Sequence, residues 1–132
     1  LSSTLLVLAL RSHLNGPTIA GIFTIVGFGS FGKHIKNVIP IIIGAILGAL
    51  ININPLNSPT LILSILFSTS LAPIAGKFGY KVGILAGFLH VNMVTNIGYL
   101  HGGLNLYNNG LAAGFVAMLL IPIINVFEKE TI

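Results

Sequence analysis

Long apolar runs alternate with short polar connections along the whole chain, and the runs carry almost no charge. Six apolar segments stand out, at about 1–10, 17–32, 38–51, 60–76, 82–100 and 111–127. Their length and apolar content predict helices. The first run is too short to span a bilayer and reads as the tail of a helix that begins before Leu1; Arg11, Ser12 and His13 end it. Asn15-Gly16-Pro17 then predicts a helix start, with Asn15 as the cap and Pro17 in the first turn. The stretch GIFTIVGFGSFG that follows has four glycines in twelve residues. Each costs a helix roughly 1 kcal/mol relative to Ala. Such a segment persists in lipid when buried against other helices, or as a re-entrant or discontinuous piece, and both readings stay open.

VIPIIIGAILGALI (38–51) covers about 21 Å at 1.5 Å per residue, short of the roughly 30 Å hydrocarbon core. It must borrow flanking polar residues, sit in thinned bilayer, or stop inside the protein. Ser58-Pro59 predicts the next helix start, and the segment it opens carries Ser64, Ser68, Thr69, Ser70 and an internal Pro73.

The most informative stretch runs from Gly83 to Phe127. Its first apolar segment contains His90, Asn92, Thr95 and Asn96, which are costly in a hydrophobic helix unless they have partners or border something wet. At 100° per residue, Asn92, Thr95, Asn96 and Tyr99 share one face about 100° wide, with His90 roughly opposite. The connection HGGLNLYNNG (101–110) holds no charge. Gly102-Gly103 and Asn109-Gly110 are turn signals, which predict an outward loop. The alternative is non-helical backbone at membrane depth, where Asn105, Tyr107 and Asn108 would meet a passing solute.

Composition strengthens the membrane reading. Of 132 residues, 55% are hydrophobic and 6% charged, and the mean hydropathy is +1.02. Soluble domains carry about a quarter charged residues. The net charge of +4 comes from scattered cations, so it bears on topology and not on nucleic acid, which is not an expected partner. Lys33 and Lys36 lie in one loop, Lys77 and Lys81 two loops later, and Lys129 near the end, while 52–59 and 101–110 have no cation. By the positive-inside rule the loops 33–37 and 77–81 and the C-terminus are cytoplasmic. Arg11 falls on the other side unless the glycine-rich segment does not cross.

Gly44/Gly48, Gly83/Gly87 and Gly110/Gly114 are each spaced as GxxxG, the spacing that lets helix backbones approach closely. Packing alone is the favoured reading of these glycines.

Catalysis finds little support. The only carboxylates are Glu128 and Glu130, there is no cysteine, and none of the four histidines is spaced HxxxH. Neither a triad nor a zinc set can be assembled, so the expectation is a non-enzyme with no metal and no cofactor. The two imidazoles at His90 and His101 leave a proton-coupled step conceivable.

The runs FGKHIKNVIPIIIGAILG, LAPIAGKFGYKVGILAGFLH and NIGYLHGGLNLYNNGLAAGFVA resemble the C-terminal half of an uncharacterised family of multi-pass bacterial membrane proteins, a domain of unknown function. The resemblance covers nearly the whole chain and implies a membrane location and a longer parent protein. A weaker similarity runs to urea transporters, where an aromatic-Asn-Gly order like that of Leu106-Tyr107-Asn108-Asn109-Gly110-Leu111 precedes a small-residue helix. The Pro-Cys-Gly element of that family is absent here.

The expected protein is therefore one all-α integral membrane domain, a fragment of a longer chain. It is a bundle of about five transmembrane or re-entrant helices packed through GxxxG faces, with a weak likeness of 27–44 to 98–114 that would fit half of a repeat architecture. The expected role is a channel or transporter segment for a small, uncharged polar solute in the bacterial inner membrane. Its path would be lined by His90, Asn92, Asn96, His101, Asn105, Tyr107, Asn108 and Asn109. The alternative is a non-transporting scaffold or assembly subunit. Expected partners are the lipid bilayer, the solute, the rest of the parent chain and, as an open alternative, further copies of itself.

Overall fold

The computed structural model describes residues 2–29, 33–53, 55–97 and 105–130, with the side chains at 2, 3, 28, 105–107 and 128–130 outside that description. Among the described residues the chain is all-helical: α1 (Ser2–Ala9), α2 (Gly16–Gly29), α3 (Ile35–Leu50), α4 (Pro59–Ser68), a 3-10 turn (Thr69–Leu71), α5 (Ala72–Phe78), α6 (Tyr80–Asn96) and α7 (Asn105–Glu130). Two stretches, Pro59–Phe78 and Asn108–Phe127, are long and apolar enough to cross a membrane.

Local chemistry accounts for the helix ends. α1 stops in a left-handed residue, Arg11 at φ 54. Ser12 N–H bonds to Val7 O at 3.2 Å and Arg11 N–H to Leu8 O at 2.9 Å, the paired bonds that close a helix C-terminus. Asn15 caps α2 reciprocally with Thr18: Thr18 N–H donates to Asn15 Oδ1 at 3.1 Å and Asn15 N–H to Thr18 Oγ1 at 2.8 Å. At α4, Ser58 Oγ accepts from Leu61 N–H at 3.4 Å and Pro59 opens the first turn, as the sequence predicts. Pro73 cannot donate to the residue 69 carbonyl, and the rod between Pro59 and Phe78 tightens into its 3-10 turn there. Ala72 N–H takes that Thr69 carbonyl instead. The hydroxyls of Ser68 and Thr69 donate to the Ile65 and Leu66 carbonyls at 2.7 Å each, so the polar side chains buried at the break are satisfied within the helix.

The chain direction follows from what touches what. A Cβ added at Gly44 would overlap the Ile84 carbonyl, one at Gly87 would overlap the Ile41 carbonyl, and one at Gly48 would lie 2.9 Å from Phe88 O. A Cβ at Gly83 would meet Pro40 at 3.0 Å and Ala75 at 2.6 Å. Residue numbers on the two helices rise together, so α3 and α6 run parallel with backbones in contact, and α4–α5 is the return rod between them. A single residue, Gly79, turns α5 into α6 at φ 89, where a side chain would be strained.

Helices α1 and α2 lie on α4: Val7, Ile62 and Leu66 form one buried cluster flanked by Ile22 and Ile25, and Gly21 faces Leu63 and Leu66. α7 returns along α4–α6, with Val116 and Leu120 in the cluster of Ile41, Leu71, Ile74 and Ala86. The two lysine loops therefore share one end of the bundle. Lys33, half-buried there with Nζ 3.4 Å from Thr69 Oγ1, has its pKa lowered by burial to about 8. The opposite end holds residues 51–53, 55–58 and Arg11, which lies beside Leu56 and Asn57.

Two expectations are corrected, and one open alternative falls. α2 is one uninterrupted helix from 16 to 29, because the Asn15 cap and the packing of Gly21 hold it; it is not discontinuous over that range. Residues 105–110 are neither an outward loop nor non-helical backbone. They belong to the start of α7, where Asn108 and Asn109 are buried and the Asn109 carbonyl bonds His90 of α6. Gly110 and Gly114 have nothing within 4 Å of an added Cβ among the described residues, since no helix lies over that face of α7.

The glycine contacts make a direct prediction. Gly44→Ala and Gly87→Ala each force a methyl into a facing backbone carbonyl and should destabilise the protein by about 1–3 kcal/mol in detergent unfolding. Gly114→Ala fills open space and should be neutral or stabilising by up to about 1 kcal/mol.

Candidate functional site

Where α3 ends, the parallel α6 continues beside it and the polar face of α6 meets the turn after Leu50. The result is an open cleft of about 470 Å³ lined by Ile51, Asn52, Ile53, Asn92, Thr95 and Asn96. No lining residue is charged.

Each polar group in the cleft has a definable hydrogen-bond state. Asn52 Nδ2 donates to Thr95 Oγ1 at 2.8 Å, joining the turn after α3 to α6. The Thr95 hydroxyl donates back to its own helix, 3.1 Å from the Val91 and Asn92 carbonyls. Asn92 Nδ2 donates to Phe88 O at 2.9 Å, and Asn96 Nδ2 to Asn92 O at 2.7 Å. A carbonyl only accepts, so in both asparagines one N–H of the amide is committed to the helix. The amide oxygens of Asn92 and Asn96 make no hydrogen bond among the described residues. Asn92 also fills the space over Gly48, where an added Cβ would meet its Nδ2 at 2.8 Å.

His90 lies elsewhere, on the side of α6 that faces α7. It is wholly buried, with Nε2 3.2 Å from the Asn109 carbonyl. Since that oxygen can only accept, Nε2 carries the hydrogen, and in the neutral ring Nδ1 is an acceptor. Neither His90 Nδ1 nor Oδ1 of Asn108, which is 3% exposed, has a hydrogen-bond partner among the described residues. Leaving a buried acceptor unmet costs about 1–3 kcal/mol.

The residues singled out in the sequence thus divide into two groups. Asn92 and Asn96 line the cleft together with Thr95, while His90 meets the Asn109 carbonyl between α6 and α7 and Asn108 is buried on α7. His101 lies outside the described residues, as do the side chains of Asn105 and Tyr107, whose backbone belongs to α7. Asn52 is the cleft residue the sequence reasoning missed. It sits in what reads as a plain polar loop, and only the parallel pairing of α3 with α6 brings it to Thr95. Among the described residues, no group of three or more His, Cys, Asp or Glu is placed to hold a metal ion.

Comparison with curated proteins and with solved structures returns no match for the chain. A family profile does match, that of a protein of unknown function designated DUF1576, over residues 1–126. The chain, an all-helical bundle with an uncharged amide-lined cleft at one end, belongs to the DUF1576 family.

Proposed function

We propose that this chain is an integral membrane bundle forming part of a path for a small, uncharged solute that carries N–H or O–H donors. The observation that carries the reading is the cleft beside the ends of α3 and α6. Asn92 and Asn96 each hold one amide N–H on a helix carbonyl, and their oxygens are left as unbonded acceptors without a charge nearby. Such groups replace a solute's water without holding it as an ion pair would.

Support for the bilayer comes from the outside of the molecule. Ile35, Ile39, Ile43, Leu47 and Leu50 form an exposed apolar stripe along α3, and Phe115, Met118, Leu119, Ile123 and Phe127 form another along α7. The Asn108–Phe127 stretch is only 17% buried, against 67% for Pro59–Phe78. In water such continuous apolar surfaces would drive association, whereas lipid is their natural solvent. The two lysine loops at one end fit a cytoplasmic side in the inner membrane.

A second reading, a non-transporting scaffold, draws on the Asn52–Thr95 bond and the bonds from Asn92, Thr95 and Asn96 to their own helix. In that reading the polar face fixes the register of α3 against α6 and nothing passes.

Two measurements test these readings. The chain has no cysteine, so single Lys36→Cys, Lys81→Cys and Asn57→Cys variants can be probed with an impermeant thiol reagent. Positions 36 and 81 should label from one side of the membrane and 57 from the other; a shared side for all three defeats the topology. The second is solute flux in proteoliposomes. Asn96→Ala removes an exposed side chain and should leave stability within about 0.5 kcal/mol, yet lower flux of a donor-bearing solute about fivefold, the loss of one neutral hydrogen bond. Asn52→Ala breaks the α3–α6 link and should cost about 1 kcal/mol of stability. Unchanged flux in Asn96→Ala, in protein that conducts, would leave the polar face a structural device.

A further inference from the structure

We propose that the pocket between the end of α1 and the turn before α4 holds the headgroup of an anionic phospholipid, with Arg11 on its phosphate. The inference rests on the bilayer part of the reading above and not on the cleft. Cysteine labelling at 36, 57 and 81 decides that part separately, so the two can fail independently.

The pocket follows from how the two elements end. α1 lies on α4 through Val7, Ile62 and Leu66, so the exit of α1 comes beside the entry of α4. Ser58 N–H closes the turn onto Pro55 O at 2.9 Å, and Leu10 and Leu56 pack against the buried cluster of Ala45, Ala49 and Leu61. An open pocket of about 310 Å³ remains beside them, lined by Ala9, Leu10, Arg11, Leu56 and Asn57. It combines a guanidinium and an amide with apolar walls. Exposed Leu5 and Leu8 continue the apolar surface along the outside of α1. A phosphate at Arg11 therefore has leucine surface beside it for acyl chains, which a soluble phosphate would not use.

Arg11 is out of place on two counts. It closes α1 at φ 54, a left-handed position where glycine is the default because it has no Cβ to strain. It also stands at the end of the bundle opposite Lys33, Lys36, Lys77 and Lys81, the end that the positive-inside rule leaves poor in cations. Neither helix closure nor topology asks for an arginine here, so the side chain itself is what the position supplies. Its guanidinium has no hydrogen-bond or ion-pair partner among the described residues. The carboxylates of the sequence are Glu128 and Glu130. They end α7, which passes His90 at Asn109 and shares a cluster with Ile74 at Leu120, and so leads toward the lysine loops. The counter-charge at Arg11 is left to a ligand, and a planar guanidinium matches two phosphate oxygens at once.

The test separates head from chains and Arg11 from the lysines. Thermal unfolding of the purified chain in an uncharged detergent, at fixed ionic strength, is followed against three additives. These are dioctanoyl phosphatidylglycerol, dioctanoylglycerol, which has the chains without the phosphate, and inorganic phosphate, which has the head alone. The expected result is a saturable rise in Tm with the phospholipid, about 3–5 °C near five times its Kd, and none with the other two at the same concentration. Arg11→Gly relieves the left-handed strain, so it should unfold no lower than wild type without lipid and lose the phospholipid response. Arg11→Gln should lose it too, and decides the matter if Arg11→Gly fails to fold. A Lys36→Gln, Lys81→Gln double variant should keep it. No saturable rise with the phospholipid would overturn the proposal, as would an equal rise with either other additive. A response that survives in the Arg11 variants, or that disappears in the lysine variant, would do the same.

Discussion

Everything in this bundle hangs on the backbone contact between α3 and α6. At Gly44 and Gly87 each helix presents bare backbone to a carbonyl of the other, and a methyl group at either position would occupy space already filled. Contacts this close gain dispersion attraction between the two backbones that a side chain at either position would block. The pair is also parallel, which forces the intervening chain to make a full return. The rod from Pro59 to Phe78 does so, and the Pro73 break gives its last turns a new start before Gly79 reverses the chain. Parallel pairing then places the end of α3 beside the polar end of α6, so the cleft is a consequence of the glycine contact.

Several polar side chains sit inside the largely apolar interior, and many large apolar ones sit outside it. Ser64, Ser68, Thr69, His90, Asn108 and Asn109 are buried, while isoleucines, leucines and phenylalanines lie on the outside of α2, α3 and α7. Buried hydroxyls here are nearly free of cost because each bonds a carbonyl of its own helix. The same device fails for an imidazole one helix away from its acceptor, and His90 accordingly reaches across to α7. Satisfaction within a helix and satisfaction between helices are therefore different signals: the first adjusts a helix, the second specifies where its neighbour must be.

Much of the local structure was legible in the sequence, because capping is a short-range interaction. Asn15 and Ser58 sit within three residues of the groups they bond, and Arg11 is found at the end opposite the lysines, where its position along the chain put it. What was not legible depended on distance in the chain. LNLYNNG carries the residues of a turn, yet the last six residues of 101–110 are helical; burial of Asn108 and Asn109 and the Asn109 bond to His90 override that local preference. Glycine spacing alone does not distinguish Gly44 and Gly87, which meet a carbonyl, from Gly110 and Gly114, which meet open space. Nor could Asn52 be linked to Thr95 across 43 positions before the direction of α6 was known.

The choice of asparagine on α6 has its own logic. A helical asparagine can give a hydrogen to the carbonyl one turn back, and it then still holds an acceptor oxygen. Asn92 and Asn96 both do this, to Phe88 and Asn92 in turn. A threonine in the same position spends its single hydrogen on the helix, and at Thr95 the hydroxyl oxygen is taken by Asn52 Nδ2, so its capacity is consumed. An aspartate could not make the backward bond at all and would bring a charge that an apolar bundle disfavours. The polar face therefore divides by side-chain type into one lock and two acceptors. The lock aligns α3 with α6, and the acceptors keep a fixed orientation because their amide nitrogens are held by the helix. The surface that results is polar, neutral and preorganised, with both acceptor oxygens held in fixed directions.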